Sequence, residues 1–156
     1  RLFDQMRVLD NVLVVLTERR LWAALCERHT KFHLEQAEEI LKKVGLWEKR
    51  QELAGNLSYG QRKLLEIGRA LAMKAEVYLF DEPFAGLFPQ MVKIVAGILE
   101  ELRRQGRTVI LIEHNMELIR VLSDSVVVLD DGRLLAQGEP EAVLAQPKVI
   151  EAYLGE

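Results

Sequence analysis

The spacing of apolar residues changes period near residue 75, and this change restricts the fold more than any other feature of the chain. Before it the pattern is helical throughout. Val12, Leu13, Val15 and Leu16 line a helix for which Asp10 is the expected N-cap. Ala37, Ile40, Leu41 and Val44 repeat at helical spacing, and Gly45 follows as a stop. Residues 61–73 predict a third helix with Leu64, Leu65, Ile67, Gly68 and Leu71 on its apolar side. After residue 75, short apolar runs alternate with amphipathic stretches. Residues 77–80 read as a strand buried on both faces, 108–112 as a second buried strand and 126–129 as a third. Between them, 89–105 predicts an amphipathic helix closed by Gly106, and 116–122 a short helix capped by Asn115. Asp131-Gly132 marks a hairpin into 133–136, and Pro140 and Pro147 each open a short helix. Alternating strands and helices predict an α/β fold with a parallel sheet. Ligands of such sheets bind at the carboxyl ends of the strands.

Composition narrows the class. The 156 residues suit one ordinary domain, with 49% apolar and 29% charged residues. Lys and Arg number 21 against 24 Asp and Glu, a net charge of -3. That balance gives no electrostatic footprint for nucleic acid or an anionic membrane. No apolar run approaches the ~18 residues of a membrane span. Cys26 has no internal disulfide partner and reads as a reduced thiol. His29 and His33 show no ligand spacing, and Trp22 and Trp47 read as core. The chain begins at Arg1 without a secretory signal pattern, which suits either a processed N-terminus or part of a longer protein, and the motifs below favour the second.

Three groups of residues could carry chemistry. The first strand ends in Asp81-Glu82-Pro83. Adjacent carboxylates after a buried run suit a hard cation such as Mg²⁺ and a proton acceptor for an attacking water. They equally suit a strand that emerges into solvent. The second strand ends in Glu113-His114, which puts a histidine at the matching position of a neighbouring strand. Ser58-Tyr59-Gly60-Gln61 precedes the third helix. Ser58 and Gln61 have capping-box spacing, and a helix start with Gly60 can also receive a phosphate.

Together these segments resemble the ATPases of the ABC transporter family. Ser58-Tyr59-Gly60-Gln61 is similar to their signature motif, and residues 77–83 resemble their Walker B strand with its catalytic glutamate. Residues 85–89 sit where their D-loop does, and His114 resembles their switch histidine. The nearest resemblance is to ATP-binding subunits of branched-chain amino-acid importers, through 1–3, 8–12, 111–116 and 149–154. The resemblance implies ATP and Mg²⁺ as cofactors. Asp81 would hold Mg²⁺, Glu82 would polarise the attacking water, and His114 would contact the γ-phosphate. Ser58, Tyr59, Gly60 and Gln61 would face the nucleotide of a second ATP-binding subunit. It further implies transmembrane permease partners, no nucleic-acid partner, and a peripheral position at the cytoplasmic face of the plasma membrane. Residues 1–75 would form the helical signature subdomain, and 76–156 the C-terminal part of the RecA-like core.

Two departures from the family pattern shape further expectations. None of the ten glycines precedes a lysine, so the phosphate loop G-x-x-x-x-G-K-[ST] has no match. The chain is therefore expected to be the C-terminal portion of such an ATPase, binding ATP poorly and not hydrolysing it alone. Phe88 stands where the family usually has Asp or Asn, at a helix start where it cannot supply a capping oxygen. Tyr59 also replaces a commoner glycine. The alternatives are an ATPase of another ABC system, such as lipopolysaccharide export, and a non-catalytic half-domain acting in trans.

Overall fold

The computed structural model describes residues 2–17 and 27–154. Trp22 and Cys26 lie outside the described residues, as does the side chain of His29. The described elements run α1 (Val8–Thr17), α2 (Glu27–Lys43), α3 (Tyr59–Ala72), β1 (Val77–Asp81), α4 (Pro89–Arg104), β2 (Thr108–Ile112), α5 (Met116–Leu122), β3 (Val126–Asp130), β4 (Arg133–Gly138), α6 (Pro140–Leu144) and α7 (Pro147–Leu154). Two short 3₁₀ turns, Trp47–Lys49 and Ala54–Asn56, lie between α2 and α3. The chain divides into two compact units, residues 1–111 and 112–156. The expected change at residue 75 falls inside the first.

In the first unit α1, α2 and α3 pack on one another and α3 also meets α4. Val8, Val12, Ala37, Leu41, Val44 and Leu65 are fully buried there, as the helical spacing requires. The helix start differs from expectation. α1 begins at Val8, so Asp10 lies within its first turn, where a negative charge favours the helix dipole. The entering chain is fixed instead by Asn11, which is fully buried. Its Nδ2 donates to Phe3 O and Arg7 O, both at 3.0 Å, and its Oδ1 accepts from Phe3 N at 2.9 Å. Trp47 is half-buried rather than core: the Arg50 guanidinium sits 4.4 Å from its ring centroid.

β1 and β2 neighbour one another in a two-stranded sheet with α4 as the crossover, the arrangement of a parallel βαβ unit. The strands are not covered on both faces. Tyr78 and Phe80 are buried, whereas Leu79 is 72% exposed, and Val77, Ile110 and Ile112 are also exposed. Successive strand residues point to opposite sides. Among the described residues only the Tyr78 side is packed, with Leu71, Ile98 and Leu102 about a cleft of about 280 Å³.

In the second unit β3 and β4 form an antiparallel hairpin, with a register shift between Val128 and Leu129. Asp131 and Gly132 both take positive φ at its turn, as the Asp-Gly pair predicts. Val126, Val128, Ala136, Val143, Leu144 and Val149 make its core, with Met116 and Ile119 of α5 against it. No described helix is long and apolar enough to cross a membrane. The whole is a mixed α/β fold with helical parts and a parallel βαβ element.

Candidate functional site

The site grows from the start of α3. Ser58 N donates to Gln61 Oε1 at 3.0 Å, and Gln61 N donates back to Ser58 Oγ at 3.4 Å. This reciprocal pair is the capping box that the sequence spacing predicts. With Gln61 N and Arg62 N occupied, the first-turn N–H groups of Tyr59 and Gly60 make no hydrogen bond among the described residues. Two such donors at a helix N-terminus suit an anion. Gly60 is buried, and a Cβ there would stand 2.6 Å from Met91 Sδ and 3.3 Å from Leu87 Cδ2. Its missing side chain therefore admits the start of α4.

The carboxylates leave the carboxyl end of β1. Asp81 and Glu82 are exposed, while Pro83 and Phe84 turn inward and are buried. Glu82 has φ +44°, a left-handed conformation that a residue with a side chain seldom adopts. Such strain is held only where the surroundings over-determine it. Two turns follow: Ala85 N donates to Glu82 O at 3.3 Å and Leu87 N to Phe84 O at 3.2 Å. Gly86 has φ +72°, and a Cβ on it would come within 3.0 Å of the Tyr59 ring.

Lys63 joins the two segments. Its Nζ donates to Glu82 O and, at 3.1 Å, to Ala85 O, and it lies 5.7 Å from the Tyr59 ring centroid. Sequence reasoning did not single Lys63 out. The available signal was its position one turn beyond Tyr59 on the same helix face.

Phe88 caps α4 without a side-chain hydrogen bond, as its residue type predicts, and is 74% exposed. His114 is an exposed residue of the second unit, beside Asn115. Asn115 Oδ1 accepts from Glu117 N at 3.1 Å and Leu118 N at 3.2 Å, the expected cap of α5. Ser58, Tyr59, Gly60, Gln61, Asp81 and Glu82 all lie in the first unit, where Lys63 and the Tyr59–Gly86 approach link the start of α3 to the segment after Asp81.

The donors fit one kind of cation. Among the described residues no three His, Cys, Asp or Glu side chains form a metal cage. Two exposed carboxylates are hard oxygen donors, which suits Mg²⁺ shared with phosphate oxygens and water.

The chain is similar to known proteins over most of its length. A model of the branched-chain amino acid ATP-binding cassette transporter C-terminus matches residues 133–156. The branched-chain amino acid transport ATP-binding protein LivG of Salmonella typhimurium is 38% identical over all of this chain and 65% of its own length. The arginine transport ATP-binding protein ArtM of Bacillus subtilis is 40% identical over 94% of this chain and 59% of its own length. The ATP-binding cassette MJ1267 of an ABC transporter, in its ADP conformation, superposes with a TM-score of 0.75 at 32% identity, over 98% of this chain and 64% of that one. The chain thus spans about two-thirds or less of the length of these relatives.

One further match corrects an expectation. The ABC transporter family model falls on residues 1–85, the first half of the chain, so the likeness is not that of a C-terminal portion. The expected inactivity of the chain alone, drawn from the unmatched phosphate loop, is corrected by the same match over residues 1–85. Since this match takes in more than half of the residues, the chain belongs to the ABC transporter family.

Proposed function

We propose that this protein binds and hydrolyses ATP as the energy-coupling subunit of an ABC transporter that carries branched-chain amino acids. One observation carries the reading. The carboxylates of Asp81 and Glu82 stand on a strained turn that packs on the capped, anion-ready start of α3. Mg²⁺–ATP, when bound, supplies a phosphoryl group whose transfer needs charge stabilisation more than covalent help. Asp81 would hold the cation, through water. The Glu82 carboxylate accepts a proton from the attacking water. His114 contacts the γ-phosphate. Ser58, the Tyr59 and Gly60 amides and Gln61 contact the nucleotide of a second ATP-binding subunit. In this scheme residues 1–75 act as the helical signature subdomain and 76–156 as part of the ATPase core.

The transported class is supported by the names of LivG and BraF and by the match at residues 133–156. Relatives named for arginine and cystine, at 40% and 38% identity, favour a second reading in which another amino acid is carried. Either system needs permease subunits, with this protein peripheral at the cytoplasmic face of the membrane. The balanced charge supports no nucleic-acid partner.

The test is phosphate release from Mg²⁺–ATP by the wild-type protein and by Glu82→Gln. Removing the proton acceptor is expected to slow turnover by about 10²- to 10⁴-fold. Equal rates in the two proteins would end the role given to Glu82.

A further inference from the structure

We propose that Lys63 is a positioning residue that sets the backbone of the Glu82 turn from the first turns of α3. The inference deepens the ATPase reading and rests on it for its kinetic consequence only. A lysine ammonium has three donors and no acceptor. Here two of them reach the carbonyl oxygens of Glu82 and Ala85, and the ammonium also stands 5.7 Å from the Tyr59 ring. These carbonyls bracket the left-handed Glu82 conformation and the first turn after it. A positive charge on a carbonyl oxygen makes a stronger hydrogen bond than a neutral donor does. Lys63 is therefore placed to hold Glu82 at a φ that its own side chain disfavours.

Further contacts point the same way. Tyr59 lies against Gly86, where a Cβ would be 3.0 Å from its ring, and Gly60 lies against Met91 and Leu87. The start of α3 is thus packed along residues 82–91. Because Tyr59 and Lys63 share one helix face, a movement of the helix start displaces the ammonium that donates to the Glu82 carbonyl. The segment read as binding the partner's nucleotide and the carboxylate read as acting on water are therefore mechanically linked within one chain.

Lys63→Met keeps most of the side-chain length and removes the donors. Lys63→Arg keeps the charge and offers N–H groups to both carbonyls. Backbone amide hydrogen exchange reads the turn directly through Ala85 and Leu87, whose N–H groups close its two hydrogen bonds. The expected result is exchange at least about tenfold faster at both amides in Lys63→Met, with amides of the α1–α2 core unchanged. Turnover of ATP should fall about 10- to 100-fold through kcat with KM unchanged, the scale of a misplaced reacting group. Lys63→Arg should retain most of both properties. Unchanged exchange in Lys63→Met, or a Lys63→Arg protein as impaired as Lys63→Met, would overturn the proposal. If the wild-type protein shows no turnover, the ATPase reading fails, and the exchange experiment still decides what Lys63 does.

Discussion

The three-helix part of the first unit and its βαβ part use apolar residues differently. In α1, α2 and α3 one set of apolar residues recurs at helical spacing and is buried, with Val8, Val12, Leu41 and Leu65 at 0% exposure, while Phe32 and Leu34 of α2 lie off that face and are exposed. In β1 and β2 the apolar runs are continuous, yet Val77, Leu79, Ile110 and Ile112 are exposed while Tyr78 and Phe80 are packed. A helix selects one face by its period, so its buried residues can be picked out from that spacing. A continuous strand run supplies two apolar faces, and the covering layer decides which one is used. The site sits where these two parts meet, with its donors on the helix and its carboxylates on the strand.

The comparison breaks first if the helical core is not tightly packed. Leu65→Ala is expected to cost about 2–5 kcal/mol, as for other fully buried leucines, read as a lower denaturation midpoint. A cost well under that would mean that the helices pack loosely. The helix start gives a smaller and sharper test. Ser58→Ala removes one side of the capping box and should cost about 1 kcal/mol. No loss would mean that α3 is fixed by its tertiary contacts alone. The strand face gives the smallest effect. Leu79→Thr should leave stability within about 0.5 kcal/mol, since that side chain makes little use of its apolar surface in the first unit. A large loss would show that the Leu79 face is covered in the folded protein.

Legibility in the sequence followed the same division. The ends of β1, the capping box at Ser58, the uncapped Phe88 and the Asn115 cap each depend on neighbours within a few residues, and each was readable. The start of α1 was not, because it depends on Asn11 reaching back to Phe3 and on Val8 N bonding to Glu52 O. The exposure of Leu79 was not, because no local pattern tells which face of a strand has a neighbour. Trp47 is half-buried rather than core because the cations Lys42 and Arg50 lie over its ring in place of apolar neighbours, which no local pattern announces. Within the site, residue types and spacing announced Asp81, Glu82 and the Ser58 turn. The Lys63 bridge needed the fold, since Glu82 lies nineteen residues away.

The most direct test of the account is a backbone amide NMR titration of the protein with ATP, with and without Mg²⁺. The account predicts that Mg²⁺–ATP shifts the Tyr59 and Gly60 amides together with those of Asp81 and Glu82. ATP without the cation should leave the Asp81 and Glu82 amides closer to their free positions. Saturating Mg²⁺–ATP that moves neither set would contradict both assignments, the end of β1 to the chain's own nucleotide and the start of α3 to that of a second subunit.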